Sequence, residues 1–463
     1  MPKSRDLLSQ NSNETGYANF KIANCNFSIG AKMRIIADLH LHSRYSRATS
    51  QQMSIEEIAR FAKIKGLNLV GTGDFTHPKW LKEIQETLVS EPEKHLYRVG
   101  GQHDSPVRFM LTTEVCTIFN YENECKKVHH VILTPTLEIA AQINEALQNH
   151  GDLSADGRPI LNMTAAQLVE MVMETSTENM IFPAHAWTPW FSIFGAFSGF
   201  DSIEECYQDT TRHIHALETG LSSDPPMNWR LSKLDTIALI SNSDCHSFWP
   251  WRIGREANVF ELEKFSYDEV VDAIQTNDPK RFKFTIETDP AYGKYHWTGH
   301  RACNVSLSPR EAQKFGNICP VCRRKLTKGV EQRVEELSDR PIDFKRNNVQ
   351  GFKHLLPLSE IIATVLGTDS PSTQAVWKIY NRLIEKFGDE YSVLIDASED
   401  ALTEVAEASI ANAIIRVREG SVNVIPGYDG VYGRLVLDQK PANSTKQHHP
   451  QRVQQSNLSD FWE

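Results

Sequence analysis

Between residues 33 and 290, short apolar runs keep ending in an acid or a histidine, and few architectures accommodate that recurrence. The runs are Arg34-Ile35-Ile36-Ala37, Leu67-Asn68-Leu69-Val70, Arg108-Phe109-Met110-Leu111, Met180-Ile181-Phe182, His215-Ala216-Leu217 and Ile237-Ala238-Leu239-Ile240. Helical patterns such as Ile55-Glu56-Glu57-Ile58-Ala59-Arg60-Phe61-Ala62 fall between several of them. Buried strands alternating with helices predict a parallel α/β architecture. So many strands in one continuous stretch favour a barrel over two small sheets. Strand C-termini then converge on one face, and residues distant in sequence meet there.

The residues at those ends are metal-ligand types. Asp38-Leu39-His40-Leu41-His42 follows the first run, and Asp74 and His77 follow the second. Glu114, His185 and Glu218 follow later runs, and Asp244-Cys245-His246 follows the last. A lone histidine at a strand end is ordinarily a hydrogen-bonded polar residue. Extended chain, however, puts i and i+2 on one side, so His40 with His42, and Asp244 with His246, can grip one ion or neighbouring ions. Mixed imidazole and carboxylate donors suit Zn, Mn or Fe better than Ca or Mg. Two ions roughly 4 Å apart hydrolyse phosphoesters, so that chemistry is expected.

His40-Leu41-His42-Ser43, the glycine-acid turn at Gly73-Asp74, the isolated Glu114, the isolated histidines and the final Asp-x-His resemble the PHP superfamily of distorted seven-stranded (β/α) metal barrels. The resemblance implies that His40, His42, Glu114 and Asp244 hold one ion, with Asp244 and Glu114 as the catalytic carboxylates. It implies a second ion on Glu114, His130 and His185, His130 being preferred to His129 because it abuts Val131-Ile132-Leu133. A third superfamily site has Ala48 and Phe75 near its first two positions here, which leaves Asp74 or His77 with His246.

His300-x2-Cys303-x15-Cys319-Pro320-Val321-Cys322 spaces four ligands as two knuckles, the pattern of a structural zinc site, with His296 as an alternative to His300. The other five of the eight cysteines are scattered, which in a reducing compartment favours free thiols over disulfides. Arg323, Arg324, Lys325 and Lys328 crowd against this module. A solvated charged face is the ordinary reading of such a run, and contact with a nucleic-acid backbone is the functional one. The chain as a whole carries -10, yet Lys294 to Lys353 holds 13 Lys and Arg against 6 Asp and Glu. An acidic average therefore does not exclude DNA.

Barrel, His300-to-Cys322 module and helical tail in this order resemble the endonuclease Q family over residues 33 to 435. The more specific pieces are Pro183-Ala184-His185-Ala186-Trp187-Thr188-Pro189-Trp190-Phe191 and Gly299-His300-Arg301-Ala302-Cys303. The resemblance implies a DNA-repair endonuclease cutting 5′ to uracil, hypoxanthine, xanthine or an abasic site. Zinc is expected in the module and the barrel, with Mg or Mn serving activity. Trp187 and Trp190, beyond a metal ligand, are candidates for stacking on an extruded base, although such rings more often pack a loop.

The expected organisation is a disordered extension over 1–32, a catalytic barrel over 33–292, the zinc module over 293–350, a helical domain over 351–436 and a flexible tail over 437–463. Met33 is an alternative translation start. Ser398 is a candidate N-cap and Gly420 a candidate stop in the helical part. The tail ends in Gln455, Leu458, Phe461 and Trp462 at the spacing of the peptide that docks on PCNA-type sliding clamps. One turn of 3₁₀-like helix would put the three apolar groups on one side. No apolar run approaches the roughly 20 residues of a membrane span and no signal peptide opens the chain, so a cytoplasmic location is expected. The rival readings are a small-molecule phosphatase on the same barrel and a non-catalytic clamp accessory. The zinc module, basic segment and terminal motif weigh against the first, and the intact ligand set against the second.

Overall fold

The computed structural model describes residues 32–436. Its framework is β1 (Met33–Asp38), α1 (Ile55–Lys65), β2 (Leu69–Gly71), β3 (Arg108–Tyr121), β4 (Glu124–Thr134), β5 (Met180–Pro183), β6 (Ala216–Glu218), β7 (Ala238–Ile240), β8 (Ala257–Leu262) and β9 (Phe282–Glu287). The fold is mixed α/β. β1, β2 and β3 pair in parallel, as do β6 and β7.

The wholly parallel arrangement expected from the sequence is corrected in two places. β4 runs antiparallel to both β3 and β5, and β8 is antiparallel to β1 and β9. A two-residue turn at Glu122-Asn123, both with positive φ, joins β3 to β4, and so tight a connection permits only an antiparallel pair. Between β5 and β6 the contact is a backbone bond from Ala186 N to Glu218 O (2.9 Å). Between the chain after β7 and that after β1 it is His42 N to Cys245 O (3.0 Å). The strands therefore curl round a common interior without continuous ladders on every side.

Strand alternation separates two cores. Met110, Val131, Leu133, Phe182, Ala216, Ala238 and Ile240 fill the interior. Val128 and Ile132, on the opposite face of β4, pack outward with Ile143, Leu168 and Tyr207. α1 shows how the sequence sets helix ends: Ser54 accepts from Glu57 N, acids occupy the first turn, lysines the last, and Gly66 closes it at φ +96°.

C-terminal to the strands, a hairpin of Thr298–His300 and Val305–Leu307 carries one knuckle of the cysteine module. Helices Leu358–Leu366, Gln374–Phe387 and Ala408–Arg418 follow, and Ser398 caps its short helix as expected. The helical expectation fails at its end, where Asn423–Ile425 and Arg434–Val436 form an antiparallel pair. Gly427 N donates to Ala291 O (2.9 Å) and Trp297 N to Gly427 O (2.9 Å), so this hairpin packs back on the segment leading into the module. No helix among the described residues is long and apolar enough to cross a membrane.

Candidate metal centre

β1 delivers its ligands by simple extension. Past Asp38 the chain stays extended, and the bridge between Leu41 and Cys245 lays residues 40–42 beside 244–246. His40, His42, Glu114 and Asp244 each bring one ligand atom into a common volume, all within 4.8 Å of one another. His42 Nε2 lies 3.0 Å from Asp244 Oδ1 and 3.1 Å from Glu114 Oε2, and His40 Nε2 lies 3.5 Å from Glu114 Oε2. A second set gathers on the other oxygen of the same carboxylate. Glu114 Oε1 is 2.8 Å from His129 Nδ1 and 3.0 Å from His185 Nε2. Glu114 thus faces one donor set with each oxygen.

Around these sets the supporting groups are fixed. His40 Nδ1 donates to Glu218 (3.0 Å), which also accepts from His185 N (2.7 Å) and Asn242 Nδ2 (2.8 Å). His42 Nδ1 donates to Asp74 Oδ1 (2.9 Å), whose other oxygen takes Ser43 N, Ser43 Oγ and Ser46 Oγ. With the Nδ1 protons held by carboxylates, the Nε2 lone pairs of both histidines turn into the cluster, the outer arrangement metal-binding histidines use. Asp74, His185 and Asp244 all adopt positive φ (48°, 28° and 47°), strain of the kind concentrated at functional sites.

The donors fit a divalent cation. His40 Nε2 is buried without a hydrogen-bond partner among the described residues and points at two carboxylates. Likewise His129 Nδ1 and His185 Nε2 face each other at 3.2 Å across Glu114. Burial opposes charge on Glu114, yet His129, Arg158 and His40 hold its carboxyl well below the ordinary range. Burial also opposes charge on Asp244, and His42 and His40 keep it ionised.

The expectation for His130 is corrected in favour of His129. In the β3–β4 register Cys116 pairs with His129 and Val115 with His130, so His129 shares the face of Glu114 and His130 takes the opposite one. His130 is instead held between Thr117 Oγ1 (2.9 Å) and Tyr207 OH (2.9 Å), and burial pushes its pKa down to about 3. Antiparallel β4 also explains why this ligand precedes an apolar run: its start, not its end, lies at the ligand face.

The residues expected for a third ion do not assemble. Asp74 spends both oxygens on His42 and the serines. His77 Nε2 donates to Ser154 O (3.2 Å) while its ring stacks on Tyr45, and His246 donates to Asp244 O (3.0 Å) outside both sets. Glu218, marked in the sequence as a strand-end residue of ligand type, instead orients His40 from outside both sets, and Arg158 carried no sequence signal at all. Arg158 Nη1 is 3.1 Å from Glu114 Oε2, reached from an irregular loop that carries no pattern.

His300, Cys303, Cys319 and Cys322 form a separate group, again within 4.8 Å. His296 is not in it; its Nε2 faces Glu331 at 3.6 Å. Burial raises the Cys319 thiol, but the backbone N–H groups of Cys322 and Val321 bring it down to about 6, which favours the ligating thiolate. Arg323, Arg324 and Lys325 are exposed beside this group, while Lys328 pairs with Glu336 (2.7 Å). The stacking role expected of Trp187 is corrected: it is 1% exposed, packs on Phe194 and donates to Asn228 Oδ1 (2.8 Å). Trp190 remains 41% exposed and stacks on exposed Phe197. Gln455, Leu458, Phe461 and Trp462 lie outside the described residues.

Among solved structures, the lesion-specific endonuclease PfuEndoQ of Pyrococcus furiosus is 36% identical to this chain, covering 87% of it and 95% of that chain, with a TM-score of 0.78. The chain belongs to the endonuclease Q family. Endonuclease Q bound to a 27-mer duplex substrate with an abasic lesion at the active site is 35% identical, covering 88% of this chain and 97% of that one, with a TM-score of 0.78. The family model for the MJ0043 C-terminal domain matches residues 357–421. The uncharacterized protein MJ0043 of Methanocaldococcus jannaschii is 34% identical over 256 residues, which span 54% of this chain and 31% of that protein.

Proposed function

We propose that this member of the endonuclease Q family is a metal-dependent endodeoxyribonuclease that nicks DNA 5′ to uracil, hypoxanthine, xanthine or an abasic site. The observation that carries the reading is Glu114, with one oxygen turned to His40, His42 and Asp244 and the other to His129 and His185. Two divalent ions held there, zinc or with Mn or Mg in support, would supply the Lewis-acid charge that phosphodiester hydrolysis needs at the attacked and leaving oxygens. Asp244, 30% exposed at the side chain, and Arg158 stand where the cluster meets solvent. Arg158 neutralises Glu114 and offers its remaining N–H groups to a phosphate. The exposed Trp190–Phe197 stack gives a π-face for a base or sugar displaced from the helix.

In this reading residues 33–292 are the catalytic barrel, 293–350 a zinc-ribbon-like module, 351–436 a supporting C-terminal domain and 437–463 a tail that tethers the enzyme to a PCNA-type clamp. Arg323, Arg324 and Lys325 contact the DNA backbone. The decisive assay incubates the protein with Mn or Mg and end-labelled duplex carrying one deoxyuridine, deoxyinosine or abasic site, and maps the product. One nick on the 5′ side with the base still attached is expected. A released free base, or equal cutting of undamaged duplex, overturns the reading.

Two further outcomes test its parts. Cys319→Ser with Cys322→Ser is expected to lower zinc content by one per chain and to weaken duplex binding; metal analysis with equal zinc before and after rejects the module. Truncation after Lys446 is expected to leave cutting intact and abolish association with the clamp, measured by calorimetry. Undiminished clamp binding by the shortened chain removes the tail from the mechanism.

A further inference from the structure

Next to the ligand cluster lies a cavity of about 360 Å³, inside the range of roughly 300–1,000 Å³ typical of small-molecule sites. His185, Thr188, Asp244 and His246 line its metal-facing end. Arg252, Arg255, Lys294, Tyr292 and Tyr432 are on its wall. One loop supplies both ends, since the chain passes from Asp244 through a turn at Trp249, where Arg252 N donates to Trp249 O (2.7 Å), to Arg255.

Arg255 is the unexplained residue. It is 4% exposed, its Nε is buried without a partner, and its side chain makes no hydrogen bond or ion pair among the described residues. Several other arginines are matched, among them Arg333 with Asp201, Arg340 with Asp235 and Arg281 with Glu269. A buried guanidinium without an acceptor is costly. Among the described residues the neighbouring acids make no hydrogen bond or ion pair with it, although the guanidinium acts on Glu256 through space. Glu256 accepts from Thr288 N (3.1 Å) and Ser241 Oγ (3.2 Å), and Glu287 from Thr219 Oγ1 (2.9 Å). Burial pushes the Glu287 carboxyl up to about 8 and that of Glu256 well above its ordinary value, which disfavours the charge that Arg255 would need beside it.

Among the described residues Arg252 likewise has no side-chain acceptor, and Lys294 sits 4.9 Å above the Tyr432 ring. Burial raises the Tyr432 phenol, yet Lys294, Arg252 and Arg255 together pull it below its usual range, a sign of the positive potential collected there. Three cations beside a cluster suited to a scissile phosphodiester define where more of the same polyanion can sit.

We propose that Arg255, with Arg252 and Lys294, forms a second anion subsite that takes a phosphodiester of the substrate strand adjacent to the scissile one. The proposal rests on the endonuclease reading for the identity of the ligand, but the subsite can be tested without cleavage. In metal-loaded protein, Arg255→Gln is expected to raise KM for lesion duplex on the order of ten- to a hundredfold, with a much smaller change in kcat. It should weaken lesion and undamaged duplex alike and flatten the dependence of log affinity on log salt by about one. Arg255→Lys should recover part of the loss.

The free protein supplies the arm that separates this proposal from the enzyme assignment. Removing an unpaired buried cation should leave the melting midpoint of Arg255→Gln equal to or above the parent's. Inorganic phosphate should raise the parent's midpoint by more than the variant's. If the protein cuts no DNA but that phosphate difference holds, the nuclease reading fails and the anion site stands. A lowered midpoint with an unchanged phosphate response, or an unaltered KM and salt slope in an active enzyme, overturns the subsite.

Discussion

Asp244→Ala is expected to abolish phosphodiester cleavage while leaving the fold nearly intact. Replacing groups that merely orient a metal ligand costs roughly 10- to 100-fold in affinity or activity. Loss of a carboxylate within 3.0 Å of His42 Nε2, in the set with His40 and Glu114, should therefore exceed about 100-fold. The side chain is partly open to the cavity and fills no apolar space, so thermal stability should change little. Metal analysis and nicking rates on lesion duplex test this together; full activity with unchanged metal content refutes the assignment. The neighbouring histidines give a sharper contrast. His129→Ala should lose metal and activity. His130→Ala should retain the ligand cluster but lose about 1–3 kcal/mol of stability, because Tyr207 and Thr117 forfeit a buried partner.

That contrast marks where sequence reading stopped. His40 and His42 were legible because i and i+2 share a side in any extended chain, and Asp244 because a run of Ile and Leu announces the strand before it. The cysteine knuckles were legible because their spacing is local. Whether His129 or His130 joins Glu114 depends on the register of a ladder between two strands, and a shift of one residue exchanges the faces. The long β3–β4 hairpin, whose turn is Glu122-Asn123 rather than a glycine pair, gave no such register. Trp187 and Trp190 are three residues apart and identical in type. One is drawn inward by Phe194 and Asn228 and the other left on the surface, which only the folded loop decides. Arg158 and Arg255 had no pattern to betray them, since each matters through what surrounds it.

The same limit applies to a contact that ties the C-terminal helices to the end of α1 and the loop after Asp244. Glu390→Ala is expected to destabilise the protein by about 3–5 kcal/mol, the cost of stranding one member of a buried ion pair. Glu390 is fully buried. Its Oε1 accepts from Lys65 Nζ (2.7 Å) and Leu358 N (3.0 Å), and its Oε2 from Tyr380 OH (2.7 Å). Lys65, 1% exposed at the end of α1, has one other acceptor among the described residues, Pro250 O (2.9 Å). Alanine at 390 leaves that ammonium buried beside a single carbonyl, and strips partners from a helix N-terminus and a phenol. Pro250 belongs to the loop that runs from Asp244 to Arg255, and Tyr391 OH bonds Gly254 O in the same loop. Loosening this joint should therefore also lower nicking activity under conditions where the chain is still folded, as the loop bearing Asp244 loses its backing. Lys65→Met with Glu390→Leu should recover the part of the loss that comes from the stranded ammonium, while Leu358 N–H and Tyr380 OH still lack their acceptor. A denaturant-unfolding double-mutant cycle measures the coupling. If either single substitution costs less than about 1 kcal/mol, the pair is not buried as described and the C-terminal helices do not brace the loop after Asp244 through it.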